Sequence, residues 1–428
     1  MMKQLLLGQT LHFVGDPFEQ DWSDVAHVDT AGGVLIENGR IVAVENAASL
    51  RSKNPDAVIT DYGDDLICSG FVDAHMHYPQ TGIIASWGKQ LIDWLNTYTF
   101  PEETRFGNRD FADRMAAMTL DLALAHGTTT LASYCTIHPE SVDAFFEAAA
   151  TRNMAVVAGK TCMDRNAPET LKDTAQLAYD QSKVLLEKWH GVNRARYAIT
   201  PRFSPTSTPE QLRALGELWA EYPDVLMQTH MSEQVPEIAW VRELFPQARD
   251  YLDTYEEFGL LGENALYGHC IHLEAREVDR LSDVGAATVH CPTSNAFIGS
   301  GLFDLIGLKK KSIRTGLATD TGGGSSFSML RTMAAAYEIG QLNGNVLHPS
   351  QLFWLATEGS ASTLQLSGQI GHLGAGADAD ITVLNLKSTA AIEQRASRAE
   401  DVWDAIFPTV MMGDDRAIRD VWVSGEKV

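Results

Sequence analysis

The chain has 428 residues, with 33 Lys+Arg against 56 Asp+Glu and a formal net charge of −23. Such an acidic balance opposes nucleic acid and anionic membrane as partners, so a neutral or cationic small molecule is the expected ligand. Hydrophobic residues at 45% and charged residues at 21% describe a globular chain and exclude a disordered one.

Five scattered cysteines (Cys68, Cys135, Cys162, Cys270, Cys291) form no CxxC pair, the usage of reduced thiols in a cytoplasmic protein. The first residues hold too short an apolar stretch for a signal peptide, and no apolar run approaches the roughly 18 residues of a membrane span.

In chain order, the first 65 or so residues read as strands, with Asn38-Gly39 inside residues 32–45 (GGVLIENGRIVAVE) marking a hairpin. The C-terminal stretch reads the same way, at 380–386 (DITVLNL) and 417–423 (AIRDVWV) before Ser424-Gly425. Both ends are therefore expected to share one small β domain, residues 1–66 with 373–428, around a central domain of 67–372.

That central domain alternates apolar runs with amphipathic helices. The runs fall at 66–77, 128–134, 154–163, 196–203, 225–232, 265–270, 287–292 and 313–321. Eight nearly continuous apolar strands separated by helices predict a parallel sheet covered on both faces and closed as a (β/α)8 TIM-like barrel. The fold class is thus α/β, with a small β-sandwich domain built from both chain ends. Residues 86–108, with Trp87, Trp94, Tyr98 and Phe100, are long for a βα connection and read as a lid or pocket wall.

Polar residues gather at the C-terminal ends of these runs, where a barrel places its active site. The first run ends Asp73-Ala74-His75-Met76-His77; residues i and i+2 of a strand share a face, so His75 and His77 project together. The fifth run carries His230 with Glu233 just beyond, the sixth ends at His269, and the eighth at Asp320. Imidazoles and a carboxylate without thiolate suit Zn²⁺, with Fe²⁺ as the alternative, and leave a position open for water. Such an ion makes hydroxide available near neutral pH. Asp320 can then touch the metal and take the water proton, while Glu233 shuttles a proton to the leaving group. Cys270 and Cys291 alternate away from the neighbouring histidines and read as buried small hydrophobes.

The segments FVDAHMH, HMSE, Gly268-His269, TDTGGG and GHLGAGADADITVLN (371–385) resemble the amidohydrolase superfamily of metal-dependent barrels. Finer motifs are similar to its guanine deaminase branch: HYPQ at 77–80, NTYTFP at 96–101, MDRNAP at 163–168, ITPRF at 199–203, HCPTSN at 290–295 and Gly299-Ser300-Gly301. The resemblance implies one Zn²⁺ per subunit held by His75, His77, His230 and Asp320, with His269 beside the attacking water. It implies catalytic duties for Glu233, Asp320 and His269, and substrate contacts from Gln80, Arg202, Phe203 and Glu233. It also implies a homodimer and hydrolysis of guanine to xanthine and ammonia.

The residue types agree with that substrate. A guanidinium donates to a carbonyl, a glutamine amide both donates and accepts along a purine edge, and Phe203 or Trp87 offers a stacking face. Two rival expectations remain open. One is another aminohydrolase of the superfamily acting on adenine, cytosine, a nucleoside or a triazine; the other is a non-catalytic metal-binding barrel.

Overall fold

The computed structural model describes residues 3–88 and 90–428. Eight parallel strands follow one another around a nearly closed barrel: Phe71–His77, Thr128–Tyr134, Ala155–Gly159, Ala195–Pro201, Leu226–Met231, Ala265–His269, Ala287–His290 and Arg314–Leu317. Each pairs with its sequence neighbour, as a barrel of successive βα units requires. The eight predicted runs and the eight strands coincide to within a few residues, except that the first run is broken. Its opening residues end a separate strand, Val58–Ser69, and the barrel strand starts after Gly70. A Cβ at Gly70 would lie 2.1 Å from Thr129 Oγ1, so only glycine lets the two backbones approach there.

Every residue of the first, second and fifth barrel strands is buried, which explains why they read as unbroken apolar runs instead of alternating ones. The chain forms two compact units. One holds the chain up to Asp73, Asp121–Thr130 and Phe327–Val428; the other holds Ala74–Leu120 and Leu131–Ser326.

In the first unit the two chain ends make a single seven-stranded sheet. Val58–Ser69 lies at its centre, parallel to Lys3–Phe13 and antiparallel to Ile381–Leu384. The Asn38-Gly39 turn has φ of 53° and 76°, the left-handed pair a two-residue hairpin needs, and it joins Ala26–Glu37 to Arg40–Asn46. Leu6, Val34, Ile36, Ile67, Ile381 and Trp422 pack as the core of this unit. In the second unit the segment after the first barrel strand is a series of short helical turns, among them Leu91–Trp94 and Phe100–Glu103.

All five cysteines are buried. Among the described residues, no helix is long and apolar enough to cross a membrane.

Candidate active site

The C-terminal ends of the barrel strands bring the predicted metal-competent residues together. Two backbone hydrogen bonds join the loop after the last strand to the first strand: Asp320 N donates to His75 O (3.0 Å) and His77 N to Thr321 O (2.6 Å). They carry the Asp320 carboxylate to the histidine pair. Its Oδ1 lies 3.4 Å from His75 Nε2 and 3.6 Å from His77 Nε2.

The fifth strand brings His230, whose Nε2 is 3.0 Å from that of His77. His269 follows from the sixth strand, and its nitrogen lies with those of His75 and His230 within 4.8 Å of one another. Gly268 makes room for this: a Cβ there would come 2.8 Å from the His75 ring. His269 and Asp320 hold φ of 69° and 47°, left-handed values that are costly for residues with side chains and recur at functional sites.

Burial sets the charge states. It pushes His75 down and His77 and His230 well down from the ordinary imidazole range, so these rings are neutral with lone pairs to give. His230 Nδ1–H donates to Arg202 O at 2.6 Å, which leaves Nε2 as the lone-pair nitrogen facing His77. Burial pushes Asp320 up, but its contacts with the imidazoles of His75 and His269 outweigh it and hold the carboxylate at about 2. His269 behaves differently: burial lowers it, while Glu233 and Asp320 raise it above its usual value on balance. Its Nδ1–H donates to Asn295 Oδ1 at 2.9 Å, fixing the ring.

Glu233 completes the mouth. Its Oε2 lies 3.6 Å from His269 Nε2, and Ser300 Oγ donates to its Oε1 at 3.0 Å. Burial lifts its carboxyl to about 7, with the neighbouring Glu237 and Asp320 adding to the effect against His269. A carboxyl poised there can give or take a proton at neutral pH.

His77, His230, Glu233, His269 and Asp320 line a cavity together with Gln80, Arg202, Phe203, Leu91, Trp94, Leu95 and Ile298. Trp87, expected as a stacking residue, lies outside that wall and is 84% exposed; Trp94 of the same segment stands on the wall instead. Tryptophan content marked the segment, but which ring turns inward depends on how its short helices pack. Asn295 and Ser300 lie in motifs singled out from the sequence, yet their hydrogen bonds to His269 and Glu233 had no signal there. Glu103, fully buried against Gln80 and Arg202, had none either.

Residues 66–428 match the amidohydrolase family model, and residues 32–57 match an imidazolonepropionase-like composite domain of bacteria. The chain belongs to the amidohydrolase family. Within that family, guanine deaminase of Escherichia coli K12 is 43% identical over 398 residues, 93% of this chain and 91% of that protein. A solved structure of E. coli guanine deaminase superposes with a TM-score of 0.97 at 40% identity, covering 99% of both chains. A crystal structure of guanine deaminase from C. acetobutylicum with guanine bound in its active site superposes at 0.90 with 28% identity over 100% of both chains.

Amidohydrolase-family enzymes generally use a divalent metal, and the donor set here fits one. Neutral imidazoles and an ionised carboxylate converge in a buried pocket at separations spanned by a single ion.

Proposed function

We propose that the protein hydrolyses guanine to xanthine and ammonia, with Zn²⁺ as the divalent ion and Fe²⁺ as the alternative. The observation that carries this reading is the cavity wall. An amide, Gln80, and a guanidinium, Arg202, line the same cavity as His77, His230, Asp320 and a proton-carrying Glu233. The likeness to guanine deaminases along nearly the whole chain supports the same substrate.

Bound there, the divalent ion would make a water acidic enough to act as a nucleophile at neutral pH. The chain's own groups do the rest. Asp320 accepts a proton from the attacking water as its oxygen bonds to C2 of guanine. Glu233 gives a proton to ring N3, so no negative charge builds on the ring. The proton held by Asp320 then passes to the exocyclic amine, which leaves as ammonia. The hydroxyl proton on C2 returns to Glu233 as the carbonyl forms, and both carboxyls regain their starting states.

Arg202 donates to the guanine carbonyl, and Phe203 and Trp94 cover the ring faces. His269, held by Asn295, orients the attacking water. Leu91, Trp94, Leu95, Phe203 and Ile298 supply the apolar part of the cavity wall, which lowers the local dielectric and strengthens each of these charges. A homodimer, purine catabolism and a cytoplasmic setting belong to the same reading. The first two rest on the family resemblance and the last on five buried cysteines without a CxxC pair.

The test is ammonia release from guanine, adenine and cytosine, with and without a chelator. Release from guanine that is lost on chelation and restored by Zn²⁺ supports the reading. Preference for adenine or cytosine, or indifference to metal, overturns it.

A further inference from the structure

Glu103 does not border the cavity, yet it is 1% exposed and holds two residues that do. It is the last residue of the one-turn helix Phe100–Glu103. Its Oε1 accepts from Gln80 Nε2 at 2.9 Å and its Oε2 accepts from Arg202 Nη1 at 2.7 Å. Both partners are themselves buried.

A carboxylate paired with a guanidinium only accepts hydrogen bonds, so it decides which end of the Gln80 amide faces it. The NH₂ turns to Glu103 and the carbonyl turns away, where Gly322 N donates to it at 3.4 Å. The group Gln80 offers a ligand is therefore a carbonyl, an acceptor. Arg202, with Nη1 committed to Glu103, offers its remaining N–H donors. The Phe100 ring lies 5.6 Å from its guanidinium carbon and limits its swing.

We infer that Glu103 is a positioning residue that locks this acceptor-then-donor order, so that the pocket reads a lactam edge and takes 2-amino-4-oxopyrimidine rings. The inference rests on the proposed function and refines it. In guanine the reacting C2 lies between N1–H, a donor, and N3, a lone pair. N1–H meets the Gln80 carbonyl, the adjacent C6 carbonyl meets Arg202, and N3 faces Glu233. Adenine and cytosine carry a lone pair, not an N–H, on the ring nitrogen beside their amine-bearing carbon. A fixed carbonyl repels them at that position. If the amide were free to flip, it would accept either pattern.

The near-isosteric E103Q keeps the shape but ends the obligation, because an amide can donate to the Gln80 carbonyl as well as accept. On metal-loaded protein we measure kcat and KM for guanine, and the Kd of xanthine and of adenine by calorimetry. Xanthine keeps the lactam edge and is not turned over. Losing one charge-assisted hydrogen bond is expected to raise KM for guanine and Kd for xanthine by about 10–100-fold, with kcat changed less and adenine binding tightened, because the freed amide can turn its NH₂ to the adenine lone pair.

E103D keeps an acceptor-only carboxylate on a shorter arm. It is expected to raise KM while preserving the preference for xanthine over adenine, and it carries the test if E103Q does not fold. Unchanged KM and xanthine affinity in both variants overturn the inference, as does a loss of kcat with KM unmoved. A wild-type protein that neither turns over guanine nor binds xanthine overturns the proposed function and this inference together. An active wild type with unaltered variants overturns the inference alone.

Discussion

His77 and His230, 153 positions apart in the chain, face each other Nε2 to Nε2 at 3.0 Å. Burial holds both rings neutral, and His230 commits its other nitrogen to the Arg202 carbonyl. Two lone-pair nitrogens at that separation share a cation more favourably than they face each other across nothing.

The first prediction concerns that cation. Purified protein should carry about one divalent ion per chain by elemental analysis, consistent with one such cluster, centred on His75, among the described residues. His230→Ala should leave the fold and lose most of the metal. Stripping the wild type with a chelator should lower its thermal midpoint, because an ion at 100 times its dissociation constant stabilises the folded state by about 2.7 kcal/mol. A metal-free wild type with full activity would contradict the site.

Glu233 supplies the second. Glu233→Gln keeps the shape and the Ser300 contact point but cannot carry the proton to N3. Its kcat should fall by about 10²–10⁴-fold, with metal content and circular dichroism unchanged. Ser300→Ala leaves the carboxyl in place and should cost far less. Asp320→Asn should abolish most turnover through loss of the proton acceptor. Near-normal rates in Glu233→Gln or Asp320→Asn would reject the roles assigned.

A third prediction is a pH dependence of stability away from the cavity. Glu277 caps the helix Ala275–Val284, accepting from Leu252 N at 3.0 Å and Glu274 N at 2.6 Å. Burial lifts its carboxyl to about 7. The unfolded chain gives up this proton near the ordinary glutamate value, about 4.3, whereas the folded protein keeps it up to about 7. The resulting stability is full below the unfolded value and is lost as pH rises through that window, by on the order of 2–3 kcal/mol. Denaturant titrations of wild type and Glu277→Gln at pH 4.5 and 7.5 should show a flatter profile in the variant. Its baseline should also be lower, since one amide oxygen cannot replace two carboxylate oxygens.

The fourth is a buried ion pair. Lys160 is wholly buried and its ammonium bonds the Asp173 carboxylate, whose other oxygen accepts from Gln211 Nε2 at 2.6 Å. Lys160→Met leaves that carboxylate buried without its cation and should cost about 3–5 kcal/mol in urea unfolding. The double variant Lys160→Met/Asp173→Leu should cost less than the single one, because no charge is then stranded. A single substitution without effect would mean that water reaches Asp173.

Much of this was legible in the residues. Strand periodicity, the Asn38-Gly39 turn and the eight apolar runs depend on local backbone preference and two-sided burial, which leave their mark on neighbouring positions. His75 and His77 were readable as a pair for the same reason, since a strand puts i and i+2 on one face. What separates Trp94 from Trp87, or selects Glu103 as the partner of Gln80 and Arg202, leaves no such mark. Those outcomes follow from how short helices settle onto the barrel mouth, where contacts between distant positions outweigh any local preference. The amino-acid order by itself therefore determined the strands, the alternation with helices and the stock of metal-competent side chains. Only the tertiary structure decided which of those metal-competent side chains converge, which carboxyl is held near neutrality and which amide end meets Glu103. Burial and hydrogen-bond geometry set these properties, and both arise only when the strands stand side by side.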